Sequence, residues 1–324
     1  MRPLVLAVFL IAGACAPVAA EEPPASAALP PQPAFQEWQV WDAREDRPVA
    51  LEPWLAGLAS ARVIYVGEEH RNRSHVEAAL KILRALLAHN LRPAVAMEMF
   101  GWDGQEALDR YLSDAPPPRD RFLEEALWEE SWGGPFEDYE PLVDFAREHH
   151  LSLLALNPPR VLVRLVAMQG LQQARQDERM ARWGMRDEPL QDDAGYHSIV
   201  LDQLKRCHGK LSDDAYQRMY DASRFRDEGM AKVVADHLRG NHAPGGEGPV
   251  LVYTGGGHIQ YRLPVPNRVT RRLGPDAAGR QVTVYLAAYE PDRPEAIREL
   301  LRDPIADYVW LTPQSAHGPP RRCR

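Results

Sequence analysis

Glu68, His70, Glu98 and His258 are, by type and context, the residues of this chain best suited to proton transfer or ligand binding. Each follows an apolar, strand-like run. Val63-Ile64-Tyr65-Val66 leads into Gly67-Glu68-Glu69-His70, and Ala94-Val95-Ala96-Met97 stops at Glu98. Leu153-Leu154-Ala155-Leu156 stops at Asn157, and Val250-Leu251-Val252-Tyr253 opens into Thr254-Gly255-Gly256-Gly257-His258. Imidazole and carboxylate carry protons near neutral pH and ligate divalent metals, so acid–base catalysis and a metal set of His70, Glu98 and His258 both stay open. A capped helix N-terminus accounts equally for the polar residues after the first run. His70 and His75 stand five apart, which excludes the His-Glu-x-x-His metalloprotease helix. A carboxylate ending a buried strand needs a partner, and Arg92 and Arg62 are the local candidates for Glu98. The three glycines allow close backbone approach, but no Lys-Ser/Thr pair follows them, so they form no phosphate loop.

Positioning these residues requires strands whose ends share one edge. His75 to Asn90 carries Val76, Ala79, Leu80, Leu83, Leu86 and Leu87 at helical spacing, and the strands on either side make a βαβ unit. Helices are expected at 104–112, 119–129 and 141–150, with a break at Pro116-Pro117-Pro118. Residues 160–240 contain helical runs at 160–173, 195–206, 213–222 and 226–239 and no strand run. The fold class expected is α/β: a mainly parallel central sheet flanked by helices, with a large helical insertion before the His258 strand. Residues 281–288 alternate as a final strand, and 301–324 read as a C-terminal tail. The aromatics Trp102, Trp128, Trp132 and Tyr139 read chiefly as core. Arg224, Arg226 and Asp227 suit either a solvated helix face or support for the histidines.

Lys plus Arg number 38 against 46 Asp plus Glu, a net charge of −8 with no basic run, which argues against nucleic-acid binding. Arg2 followed by the apolar stretch Leu4–Ala14 reads as an export signal within 1–20, too short to span a bilayer. Cleavage after Val18-Ala19-Ala20 and lipidation at Cys15, after Ile11-Ala12-Gly13-Ala14, are both open. Residues 21–34 are a Pro/Ala tether, leaving 35–300 as the folded domain. Cys207 and Cys323 are expected to be unpaired or variably paired, since sequence shows no proximity.

The ordered set Gly67-Glu68-Glu69-His70 with Asn72 and His75, Glu98-Met99-Phe100, Trp132 with Tyr139 and Pro141, Ala155-Leu156-Asn157-Pro158, Arg226-Asp227 with Met230-Ala231, and Gly255-Gly256-Gly257-His258-Ile259 resembles the ChaN-like haem-binding uptake family. That family lies in the Tiki/erythromycin-esterase superfamily, and the resemblance spans Arg62 to Arg272. It implies a haem-binding protein of the bacterial envelope, periplasmic or anchored at the outer membrane, acting in haem-iron uptake. A receptor in the outer membrane and a homodimer are implied partners. The superfamily also implies the alternative of a metal-dependent hydrolase, with Glu68, His70, Glu98 and His258 as the catalytic set. Haem ligation in the family is associated with tyrosine, for which Tyr139, Tyr216 and Tyr220 are the candidates. Gly256 departs from the family, which commonly has Asn there.

Overall fold

The protein is described by a computed structural model covering residues 35–240 and 248–318. The export signal, Cys15, the tether and Cys323 lie outside the described residues. Eight strands form one sheet: β1 (Val40–Asp42), β2 (Arg47–Val49), β3 (Val63–Glu68), β4 (Ala94–Gly101), β5 (Leu153–Asn157), β6 (Val250–Gly255), β7 (Gln281–Ala288) and β8 (Tyr308–Thr312). Their order is β2-β1-β8-β7-β3-β6-β4-β5. From β8 to β5 every pairing is parallel, and β1 and β2 add an antiparallel margin. The expected α/β architecture is therefore observed.

Continuous apolar runs make these strands because both faces of the sheet are covered. Along β3, β4 and β6, Ile64, Val66, Val95, Met97, Leu251 and Tyr253 face one core. It is closed by helix α1 (Arg73–Ala88) and α2 (Glu140–Glu148). The alternate residues Val63, Tyr65, Ala94, Ala96, Val250 and Val252 face the other core, as the two-residue period demands. There the cover comes from the long helix that precedes β6 and the helix after it.

The helical insertion expected over 160–240 is present. Its main members are α3 (Arg160–Gln169), α4 (Ala194–His208) and α5 (Asp213–Gly240). Two short helices, Leu171–Ala174 and Glu178–Arg182, join α3 to α4. The runs read as 213–222 and 226–239 belong to one helix: α5 runs unbroken for 28 residues. Its charged middle stays helical because Asp227 and Glu228 turn inward and find partners there. After β6 come α6 (Val265–Leu273) and α7 (Pro294–Arg302). No helix among the described residues is long and apolar enough to cross a membrane.

The stretch from 301 is not simply a tail. It carries β8, which pairs with β7 and β1 and buries Trp310 completely. β7 is consequently not the last strand. Cys207, expected to be unpaired or variably paired, is disulfide-bonded, and both other cysteines lie outside the described residues.

Candidate functional site

The parallel register brings the polar residues to one edge. Glu68 ends β3 directly opposite Gly255 at the end of β6. β4 pairs with β6 only as far as Met97, and its register with β5 shifts between Met97 and Gly101. Glu98 stands in that irregularity, where a strand re-aims its side chains. Asn157 steadies it by donating from Nδ2 to the Glu98 carbonyl at 2.6 Å. Asn157 is thus a backbone clamp.

Glu68 is buried and accepts three hydrogen bonds. The Tyr139 hydroxyl donates at 3.0 Å, the Tyr253 hydroxyl at 2.8 Å, and His70 Nδ1 lies 2.8 Å from Oε1. Burial and the Glu68 charge push both phenols above their ordinary range, so they remain protonated donors. The His70 side chain is 49% exposed. Trp132 meets its ring edge-on at a centroid distance of 4.8 Å. Beneath the ring lies Gly255, where a Cβ would stand 2.8 Å from His70 Cε1. Any side chain at 255 would therefore displace the imidazole. Burial disfavours charging His70, but the hydrogen bond to Glu68 and the charges of Glu98 and Glu68 outweigh it and raise its pKa above 6.5.

Glu98 is the anchor of the second half. Oε2 accepts from Thr254 Oγ1 at 2.6 Å and from the Gly255 N–H at 2.6 Å. Oε1 accepts from Arg226, and His258 Nε2 lies 3.3 Å from it. Arg226 Nη2 and His258 Nε2 are 3.0 Å apart; we read them as two N–H donors converging on one carboxylate oxygen. On its other side His258 Nδ1 lies 2.5 Å from Asp227 Oδ1, and Asp227 Oδ2 accepts from Tyr196 at 2.6 Å. Burial opposes ionisation at both centres. Nevertheless the His258 and Arg226 charges hold Glu98 well below the usual carboxylate range. Glu98 and Asp227 in turn raise His258 to about 9, so it is cationic at neutral pH.

Glu68, His70, Glu98 and His258 thus share one edge, in two linked clusters. The metal set does not form. Among the described residues no group of three or more His, Cys, Asp or Glu is arranged to hold a metal ion. The physical reason is the Arg226 guanidinium beside Glu98 and His258, where like charge excludes a cation. Neither Arg92 nor Arg62 reaches Glu98: Arg92 donates to the carbonyls of His149 and His150, and Arg62 to that of Leu238. Arg226 and Asp227 take the supporting role that was one of their two sequence readings. Tyr196, Tyr253 and Thr254 carried no comparable signal, because a hydroxyl in an apolar run looks like core.

The tyrosine candidates lie away from solvent. Tyr139 is buried on Glu68, Tyr216 donates to the Gly209 carbonyl, and Tyr220 is buried and donates to Asp192. A cavity of about 700 Å³ opens above the strand ends, within the usual range for small-molecule sites. His70, Glu98, Arg226 and His258 form its floor, Ile199, Gln203 and Arg206 of α4 one wall, and Tyr285, Arg293 and Leu300 the other. The lining carries both signs of charge: Glu68, Glu69, Glu98, Glu290 and Glu299 stand with Arg206, Arg226 and Arg293 beside the apolar side chains.

Comparison with known proteins places this geometry in context. The structure of ChaN of Campylobacter jejuni, described as binding haem cofacially, superposes with a TM-score of 0.60 at 20% identity, covering 85% of this chain and 98% of that one. A mutant erythromycin esterase in its open conformation gives a TM-score of 0.42 at 15% identity, over 74% of this chain and 72% of the other. Among curated proteins, the chloroplastic RETICULATA-RELATED 5 of Arabidopsis thaliana is 24% identical over 274 residues, 79% of this chain. The match spans only 34% of that relative's length. A family model described as haem-binding uptake, Tiki superfamily, ChaN matches residues 54–269. The chain belongs to that ChaN family.

Proposed function

We propose that this protein binds haem in the cavity at the strand ends and serves haem-iron uptake at the bacterial envelope. Membership of the haem-binding uptake family carries the reading. The cavity supports it in part: Ile199 and Leu300 offer apolar walls for a porphyrin and Arg206 a cation for a propionate, while Arg226 and Arg293 are paired with Glu98 and Glu290. Iron in a bound haem would supply a ligation site, while this chain supplies the slot and the polar groups around it. The apolar N-terminal segment supports export, by cleavage after Ala20 or lipidation at Cys15; an outer-membrane receptor and a second copy of the chain are the partners this reading calls for. Titrating the purified protein with haemin is expected to give a saturable Soret shift at a fixed ratio of haem to chain. A spectrum that only follows free haemin sinks the proposal.

One observation favours a second reading, hydrolysis without a metal. A buried carboxylate holding the Nδ1 of a half-exposed imidazole is the arrangement of a general base and its orienting group. Under this reading His70 takes a proton from water, and a screen of carboxylic esters and peptides finds turnover that His70→Ala and Glu98→Gln abolish. Turnover that survives both changes removes His70 from that role.

A further inference from the structure

The cavity owes part of its width to a place where a side chain is missing. Tyr285 stands on β7 in register with Gly67 of β3. The chain leaving β6 packs closely on Gly67, where a Cβ would lie 2.6 Å from Ile259 Cδ1 and 3.0 Å from the Gly256 Cα. Gly256 is itself buried against the Tyr285 ring: a Cβ there would lie 2.5 Å from Cε2 and 3.1 Å from Cζ. Neither glycine has its φ in the left-handed region. Their backbones would therefore accept alanine, and what each position demands is space.

Gly256 and Tyr285 both line the cavity at the strand ends. The half-buried ring also packs on the apolar cluster that includes Ile297 and Leu301 of α7. A ring pushed off Gly256 thus finds packed core on one side and the open cavity on the other. Close-packed interiors give way little to an added methyl, so the displacement goes toward the open side. We propose that Gly256 and Tyr285 form a selectivity pair: the bare backbone at 256 lets the ring lie back, and the cavity thereby admits a ligand with a broad, flat apolar body. This rests on the haem-binding reading above, and it concerns the shape of the cavity rather than the contacts made to iron.

The test titrates the full chain with haemin, followed in the Soret band, and with protoporphyrin IX, followed by its fluorescence. The iron-free porphyrin reads shape without ligation. Gly256→Ala, checked as folded by circular dichroism, is expected to bind both about 10–200-fold more weakly, the range for one misplaced carbon in a pocket. In the Tyr285→Leu background, which removes the ring, the same change should cost little. A crystal structure of Gly256→Ala should show the ring turned into the cavity, and urea midpoints should show the two changes to be coupled rather than additive. Unchanged porphyrin binding in Gly256→Ala, or an equally large loss in the Tyr285→Leu background, overturns the proposal. So does abolished binding in Tyr285→Leu alone, which makes the ring a contact the ligand needs rather than a barrier to it. A wild type that binds neither porphyrin removes the haem reading instead. The ring position and the urea midpoints then still decide whether Gly256 sets the width of the cavity.

Discussion

Replacing Glu228 by alanine is expected to cost the fold about 3–5 kcal/mol, the range for stranding a buried charge. Glu228 on α5 and Arg268 on α6 are both 0% exposed, with Arg268 Nε 3.4 Å from Glu228 Oε1. Arg271 and Arg272 each donate to the same carboxylate, at 2.8 and 2.9 Å, and the Gln191 N–H donates at 2.7 Å. Arg268 also donates to the carbonyls of Leu263, Pro264 and Gln191, and its guanidinium lies 4.2 Å from the centroid of the Tyr196 ring. Removing Glu228 leaves three guanidinium groups converging on an empty centre, one of them out of reach of water. Arg271→Ala is the contrasting change: its side chain is 37% exposed, so the loss should stay near 1 kcal/mol or below. Urea denaturation with an unchanged slope measures both. A Glu228→Ala midpoint close to that of wild type contradicts the assignment of the network as a structural keystone.

Acid should act chiefly through His75. Its Nδ1 accepts the Glu69 N–H at 2.9 Å, which puts the proton on Nε2, an atom with no hydrogen-bond partner among the described residues. Burial, followed by the neighbouring charge of His70, lowers its pKa from 6.5 to about 3. The folded value lies below the unfolded one, so the unfolded chain takes up the proton first as pH falls. Stability from neutral His75 is therefore whole above pH 6.5 and lost as pH falls toward about 3. At ~1.4 kcal/mol per unit, about 3 kcal/mol should disappear between pH 7 and pH 4. His258 works on the opposite limb. Its raised pKa adds stability that is complete below 6.5 and lost as pH rises through about 9. His75→Gln keeps an acceptor for Glu69 without a titrating ring, so its acid limb should be shallower by that same amount. Urea midpoints at the two pH values decide it. An equally steep decline in the variant assigns the acid sensitivity elsewhere.

The sheet was legible because buried parallel strands read as unbroken apolar runs, and a polar residue closing such a run marks the exposed edge. That logic located Glu68, His70, Glu98 and His258. It did not locate their partners. Arg226 and Asp227 lie in a charged helical stretch, and charge patterning alone does not distinguish a solvated face from one turned inward. Their pairing with Glu98 and His258 depends on α5 crossing the strand ends, a long-range fact. The tyrosines show the converse: Tyr139, Tyr216 and Tyr220 were chosen by chemical type, but type carries no information about burial. For β8 a signal existed, since Val309, Trp310 and Leu311 form a short apolar run. Its position near the end of the chain disguised it. The disulfide at Cys207 had no local signal.

The place of β6 between β3 and β4 governs how the chain comes into being. β3, α1 and β4 follow one another in sequence, yet they must leave a gap one strand wide for a segment that begins only at Val250. A nascent chain that has not reached that point holds two apolar strands with open inner edges, which invite pairing with other chains. Contacts of such sequence separation also make closure slow. Until the segment from Val250 is available, those inner edges stay unpaired.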